Sequence, residues 1–400
     1  MRYPWKKYTP TIIGEMPASF WYLLAGTFFN RVGTFIIPFL ALYLTTERGM
    51  SVSEATFIVS LYGMGSLGAG LSGGILADVI GRRKTLLISL ILSAIFMLVL
   101  SSVQQIALIS LVVILLGYCT DLYRPAVSAV VSDLAPPANR IQAYGLRYWA
   151  NNLGAAIGPL IAGAVAHLSF LVLFLGDAFS TLVFSLMIWL GVPETRPQRQ
   201  LASQDSGEKA RAKFFTAARD LRLWGYTILS FLFTCIYLQY NVTLPLDMHA
   251  HGLSEAQYGI VIAANALLVV FLSLPLNPIL ARFPSHILLA IAALLMGTGY
   301  GLNAYAHTFV GYLLATCIWT LGEMMNQPLA TNMIARLSPS HLRGTYQGIY
   351  SLARGLSAFI APALGGLILD RLGASILWNG CFILGSIVAC SYLLLPKIKR

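Results

Sequence analysis

The chain has 400 residues, 57% of them hydrophobic and 10% charged, where a soluble domain is about one quarter charged. Lys and Arg number 26 against 15 Asp and Glu, a formal net charge of +11. No basic stretch is interleaved with aromatic residues on a soluble module, so the excess reflects orientation in an anionic bilayer and nucleic-acid binding is excluded.

In chain order, apolar windows of about 20 residues, the length that crosses roughly 30 Å of hydrocarbon, recur between polar or Pro/Gly-containing breaks. They predict twelve transmembrane helices at 17–44, 55–77, 85–102, 106–130, 143–167, 170–191, 223–245, 255–277, 286–305, 309–333, 344–368 and 374–395. The first stays apolar for over ten residues on either side of Arg31, in FFNRVG (28–33), which marks that arginine as a cavity residue rather than one that reaches the interface. The fourth carries Asp121 and Arg124 three residues apart, on one face as an ion pair, with Pro125 softening the same turn. The fifth contains WANNLGAAIGPLIAGAVAH (149–167), where Gly154, Gly158 and Gly163 form a stripe for close helix packing and Pro159 removes a helix hydrogen bond. Arg147, Trp149 and Asn151 precede that stripe and join Arg31 as expected walls of a solute cavity.

The sixth span adds Asp177, nearer the outer side, and the seventh a polar stripe of Tyr237, Gln239, Tyr240 and Asn241. The tenth carries Trp319 and Glu323 with Gln327 one turn on, and the eleventh Arg354. Aromatic surface on Tyr237, Trp149 and Trp319 offers a place for a solute to stack, although packing is an equally good use for each ring. Between spans six and seven runs the longest hydrophilic segment, 193–222, a cytoplasmic linker with a short amphipathic helix near residues 212–224. It separates an N-terminal unit, 1–192, from a C-terminal unit, 223–400.

The two units repeat. At a fixed offset of 203 residues, Pro125 falls on Pro328, Leu134 on Leu337, Pro136 on Pro339, Arg140 on Arg343, Pro159 on Pro362 and Gly163 on Gly366. Ser51 with Glu54, and Ser254 with Gln257, have the spacing of capping boxes at helix starts. Duplicated sets of six spans are the mark of a carrier with two bundles related about the membrane normal. The expected fold is therefore all-α and polytopic: twelve helices in two pseudo-symmetric six-helix bundles. An even number of spans puts both termini on one side, and that side holds 20 of the 26 basic residues, so both termini are expected in the cytoplasm.

Four arginines (Arg31, Arg124, Arg147, Arg354) and three acids (Asp121, Asp177, Glu323) lie well inside spans. Each costs about 2.5–3.5 kcal/mol at mid-membrane, so seven are too many to be incidental. A carboxylate in an apolar cavity holds its proton and a nearby arginine loosens it; Asp121 and Glu323, at nearly equivalent depths in the two halves, are the expected proton carriers, with Arg124 as the modulating cation. An ion pair used only for packing is the alternative. Four positive against three negative groups leave +1, which does not favour lipophilic cations and leaves neutral or anionic solutes open. Cys119, Cys235, Cys317, Cys381 and Cys390 fall within spans at unrelated spacings and read as packing residues; no metal site or cofactor is expected, and His249 and His251 read as solvated surface. The lack of a recurring Ser/His/Asp arrangement argues against an enzyme.

Two stretches carry a family resemblance. GGILADVIGRRKTLL (73–87) resembles the second-to-third helix signature of the major facilitator superfamily at Gly74, Asp78, Gly81, Arg82 and Arg83, and departs from it at Val79. The resemblance implies a gate in which Asp78 latches the bundles on the inner side, against the start of the eleventh helix near Arg343–Tyr346. Gly154, Gly158-Pro159 and Gly163 resemble the fifth-helix motif of proton-coupled antiporters, and Arg124 in LYRPA the fourth-helix arginine tied there to proton transfer; RYWANNLG and WTLGE are similar to elements of twelve-span drug/proton antiporters, with Arg147 where that group has an aspartate. Pro328, Pro362 and Gly366 would serve flexibility and packing in the second half. The implied activity is proton-driven export of small amphipathic compounds by alternating access, by a monomer in the bacterial inner membrane that needs small solute, protons and lipid as its only partners. Proton-coupled import of a nutrient such as a sugar or peptide, and a non-transporting receptor, stay open as alternatives.

Overall fold

In the computed structural model the described residues, 16–136, 139–166, 169–195, 216–280, 283–339 and 342–395, contain helices and no strand. Most of the predicted linker, 196–215, lies outside them. The first span divides into α1 (Ala18–Val32) and α2 (Ile36–Thr46), followed by α3 (Val52–Val79), α4 (Arg82–Ser102), α5 (Ile106–Leu134), α6 (Arg140–Ala166) and α7 (Phe170–Gly191). After the linker come α8 (Leu221–Tyr237), a 3-10 turn (Leu238–Asn241), α9 (Thr243–Ala250), α10 (Glu255–Leu280), α11 (Ser285–Leu302), α12 (Phe309–Leu337), α13 (Arg343–Leu372) and α14 (Ala374–Leu394).

Among the described residues ten stretches are long and apolar enough to cross a membrane. Helices α6 and α12 match them in length but carry Arg147, Asn151 and Asn152 in one, and Glu323 and Asn326 in the other. Polar cost concentrated in two long helices is the signature of function rather than of anchoring. The chain is thus an all-α, multi-pass membrane protein.

Both expected capping boxes are formed: the Ser51 and Glu54 side chains exchange hydrogen bonds with each other's backbone N–H at the start of α3, and Ser254 and Gln257 do the same at α10. Gly81, at φ +105, makes the turn between α3 and α4 that an L side chain rarely adopts. Two predicted spans are interrupted. Backbone N–H and C=O groups released by a helix break have no water to turn to in hydrocarbon, and each break carries its own remedy. Between α1 and α2 the Asp177 carboxylate of α7 accepts from the Phe35 and Ile36 amides at 3.1 and 3.2 Å. Between α8 and α9, Gln239 donates to the Cys235 and Ala361 carbonyls at 3.1 and 3.0 Å, and its side-chain oxygen accepts from the Thr243 hydroxyl at 2.9 Å.

Within the first group of helices α5 packs on α3 and α4, and α1 on α6 and α7; within the second, α11 packs on α12 and α14, and α8 on α13. Two extensive contacts cross between the groups, α3 with α13 and α6 with α10. The inner end of the molecule is the one the basic residues assign to the cytoplasm. One apolar core runs through both groups toward the outer end, from Phe39 and Phe174 to Tyr258 and Tyr300, and continues within the second group to Leu223 and Leu337 at its inner end. At the inner end of the first group a separate cluster forms around Phe20, Leu86, Val127 and Phe184. The groups are therefore joined outside and parted inside.

Candidate functional site

Glu323 lies halfway along α12, at the boundary between the groups. Asn265 of α10 donates from its amide to the Glu323 carboxylate at 2.8 Å and to the Thr320 hydroxyl at 2.9 Å, and Thr320 in turn donates to the Thr316 carbonyl. The Tyr237 ring of α8 lies beside the carboxylate, and Tyr148 of α6, on the opposite group, is close enough to feel its charge. No described lysine, arginine or histidine forms an ion pair with Glu323. Every partner is neutral, so the carboxyl group can gain or lose a proton without abandoning a fixed counter-ion.

Asp121 is arranged differently. Its Oδ1 is 2.7 Å from Arg124 Nε, and the Ser66 hydroxyl of α3 donates to its other oxygen. The carboxylate is buried while the Arg124 side chain is 65% exposed, which directs the guanidinium at open space between the helices. The two expected proton carriers therefore differ: Glu323 is held by neutral donors, Asp121 by a resident arginine.

Three residues expected to face a solute do not. Asp177 is 1% exposed and spent on the α1–α2 break, and Gln239 is buried on the α8–α9 break. Trp319 is fully buried inside the second group, stacked on Tyr300 at 5.5 Å and flanked by Tyr237 and Tyr240 at 6.2 and 6.1 Å. The polar character that placed Asp177 and Gln239 in a cavity is consumed by backbone groups distant in sequence, and an aromatic ring packs wherever neighbouring rings accept it. By contrast Trp149 and Arg354 are exposed, and Asn151, Asn241, Arg31 and Arg147 are partly so. The Nε atoms of Arg31 and Arg147 are buried and make no hydrogen bond to a protein group.

The match to the Major Facilitator Superfamily model extends over residues 23–251 and 240–399. The chain belongs to the Major Facilitator Superfamily. It is 26% identical over 370 residues to a Na(+), Li(+), K(+)/H(+) antiporter of Planococcus maritimus, covering 85% of this chain and 87% of that one. Among solved structures it is similar to a variant of the nucleoside transporter NupG, with a TM-score of 0.82 at 14% identity over 95% of this chain and 100% of the other. It is also similar to a POT family transporter in complex with a thioalcohol-conjugated peptide, with a TM-score of 0.79 at 18% identity over 96% and 99%. Membership makes the chain a membrane transporter, a non-catalytic class, and no group of three metal-ligating side chains exists among its described residues.

In this facilitator the outer seam is closed by small residues. Gly366 of α13 sits against the Thr56 side chain of α3, and the Ser53 hydroxyl donates to Asp370 across the same contact. Gly163 of α6 lies on the Glu255–Ala256 backbone, where a Cβ would come within 2.6 Å of the Glu255 carbonyl. Gly154 and Gly158 meet the α1 backbone instead, within their own group. Pro125, Pro159, Pro328 and Pro362 all lie inside helices. At the inner end Gly74 faces open space and Asp78 is exposed, with no ion pair to a described residue. Arg82 pairs with Asp133 and donates to the Thr195 carbonyl, Arg83 donates to the Trp189 carbonyl, and the Glu194 carboxylate accepts from the Arg82 amide at 2.8 Å. These arginines tie the inner ends of the first group to one another. Tyr346, near the expected latch partner, donates its hydroxyl to Asp220 at 3.0 Å.

Two features escaped the sequence. Asn265 stands alone in the apolar run IVIAANALLVV, and that isolation was the available signal. His251, read as solvated surface, is exposed and also hydrogen-bonds to the Tyr312 hydroxyl, beside the buried Asp247, at the outer end.

Proposed function

We propose that this facilitator is a proton-coupled carrier of a small solute, with Glu323 as the group that takes and returns the coupled proton. The observation that carries the reading is the Glu323 site itself: a carboxyl group in mid-membrane, at the boundary of the two helix groups, whose hydrogen-bond partner Asn265 and neighbour Tyr237 are neutral. The supporting architecture is twelve spans in two pseudo-symmetric six-helix bundles, 1–192 and 223–400, joined by the 193–222 linker, with both termini in the cytoplasm. Asp121 with Arg124 supplies a charge-paired partner in the first bundle.

The embedded charges bear on the solute. Asp121 is paired to Arg124, and Asp177, tied to backbone amides, has Arg31 as its neighbouring charge, which leaves Arg147 and Arg354 against Glu323 as the remaining embedded acid. A solute with a carboxylate or another anionic group fits that excess better than a lipophilic cation. Uptake together with a proton has the stronger support, since the similar folds belong to a nucleoside transporter and to a transporter holding a conjugated peptide. Exchange of a solute against a proton, including export of amphipathic compounds, is the second reading; it draws on the Planococcus maritimus antiporter and on the Gly154, Gly158-Pro159, Gly163 pattern.

Purified protein in proteoliposomes containing a pH indicator separates them. Dipeptides, nucleosides and cationic dyes are offered with a proton gradient directed into the vesicles. Symport gives accumulation of solute with acidification of the lumen; antiport gives no accumulation under this gradient and, with the gradient reversed, uptake of solute with alkalinisation of the lumen. Glu323→Gln removes the link between solute and proton flux in both cases. Wild-type coupling in that variant would refute the assignment.

A further inference from the structure

The outer end of the second helix group holds a cluster that this reading does not use. Asp247 projects from α9, beyond the Leu221–Asn241 span, and is 2% exposed. Its Oδ2 accepts from the Tyr312 hydroxyl of α12 at 2.7 Å and from the Trp378 Nε1 of α14 at 2.9 Å. His251, one turn on, places Nδ1 2.9 Å from the Asp247 backbone carbonyl and 3.0 Å from the Tyr312 hydroxyl. Its Nε2 is 3.0 Å from Nδ1 of His307, and both histidines are exposed.

The hydrogens follow from the acceptors. A backbone carbonyl only accepts, so His251 Nδ1 carries the hydrogen and Nε2 is left bare to accept from His307 Nδ1–H. Tyr312 receives from His251 Nδ1–H while donating to the carboxylate. The result is an unbroken line from outer solvent to a buried acid: His307, His251, Tyr312, Asp247. The neighbouring charged groups are His249 and Glu255, 3.8 Å apart on the adjoining turn; α14 contributes only Trp378, and no described lysine or arginine forms an ion pair with Asp247. Burial pushes the Asp247 carboxyl above the usual carboxylate range, against the lowering from Tyr312, Trp378 and the two imidazoles.

We infer that Asp247 is a second proton-binding site, loaded from the outer solvent through His307, His251 and Tyr312. A proton from water binds His307 Nε2; the Nδ1 hydrogen of His307 passes to His251 Nε2; the Nδ1 hydrogen of His251 passes to the Tyr312 oxygen as Tyr312 gives its own to Asp247 Oδ2. One positive charge enters and one negative charge is cancelled, leaving a neutral acid and two neutral imidazoles. Because α9 packs on α2, α10 and α13, elements of the outer seal, the charge on Asp247 is placed to bias that seal. Its use in the cycle rests on the proton-coupled reading; the binding itself does not.

The test is pH-difference infrared spectroscopy of the full chain in lipid nanodiscs, in a Glu323→Gln background so that the other acid is silent. A protonated-carboxyl band should appear on acidification at a pH above the ordinary carboxylate range, and should be missing when Asp247→Asn is added. His251→Gln should keep the band and slow its rise after a pH jump by at least about tenfold. A band unchanged by Asp247→Asn, or a rise unchanged by His251→Gln, overturns the inference. The second criterion stands even if the Asp247→Asn protein does not fold. Loss of a band on Glu323→Gln alone, with none assigned to Asp247, would leave the transport reading intact and remove only this site.

Discussion

Asp177 and Glu323 are both embedded carboxylates, and their surroundings give them opposite uses. Asp177 receives two backbone amides that nothing else in the membrane satisfies, so its worth is structural. Leaving two buried donors unmade costs about 1–3 kcal/mol each. Asp177→Ala should therefore lower the thermal unfolding temperature by several degrees, while Asp177→Asn, whose side-chain oxygen still accepts, should retain most of the stability and the proton coupling. Equal stability of the alanine variant and the wild type would return Asp177 to the list of solute-facing residues. Sequence alone could not separate the two acids, because the amides that Asp177 caps are 141 and 142 residues away. Glu323 stood out because it recurs beside a repeated proline; its partner Asn265 did not, since a single amide in an apolar run has no spacing to read.

At the scale of elements, the apolar spans were legible because hydropathy is local, and the repeat because prolines and glycines occupy single fixed positions. The breaks at Gly33–Phe35 and Leu238–Asn241 were not. Pro38 and Pro245 stand in the first turn after each break, but a proline near a helix start does not by itself show a break, and what holds each open is a long-range contact: Asp177 on the Phe35 and Ile36 amides, and Gln239 on the Ala361 carbonyl. The seam between groups shows why the stripes of small residues matter: Gly163 lets α6 meet α10 at backbone distance, and Gly366 leaves room on α13 for the Thr56 side chain of α3. Gly163→Val should wedge the α6–α10 contact apart and favour a state open to the outside. Ser53→Cys, at the α3–α13 contact, then reports on the seal: labelling by a membrane-impermeant maleimide from the outer side should rise several-fold in the Gly163→Val background. Unchanged labelling of folded protein would mean that the glycine is dispensable for closure.

Over the whole molecule, and on the proposed carrier reading, the core shared by the two groups and the separate inner cluster correspond to one end state of an alternating-access cycle, closed outside and parted inside. Asp78 fits that state by doing nothing in it: it is exposed, and Tyr346 near its expected partner is held by Asp220. A latch engaged only when the inner ends close contributes to the other state alone. Asp78→Asn should then leave the present arrangement intact and raise its population, because a ligand or contact shifts an equilibrium only by what it adds to one state over the other. If the latch is worth about 1 kcal/mol, as for a partly exposed charge, the ratio of the two states changes about fivefold. Spin labels at Lys84→Cys and Arg336→Cys, both exposed at the inner end on opposite helix groups, report that ratio as the balance between a short and a long distance. The long distance should gain weight in the Asp78→Asn protein without moving. Identical distributions would show that the inner ends close without Asp78, and a shift of the long distance itself would show that Asp78 shapes the open state.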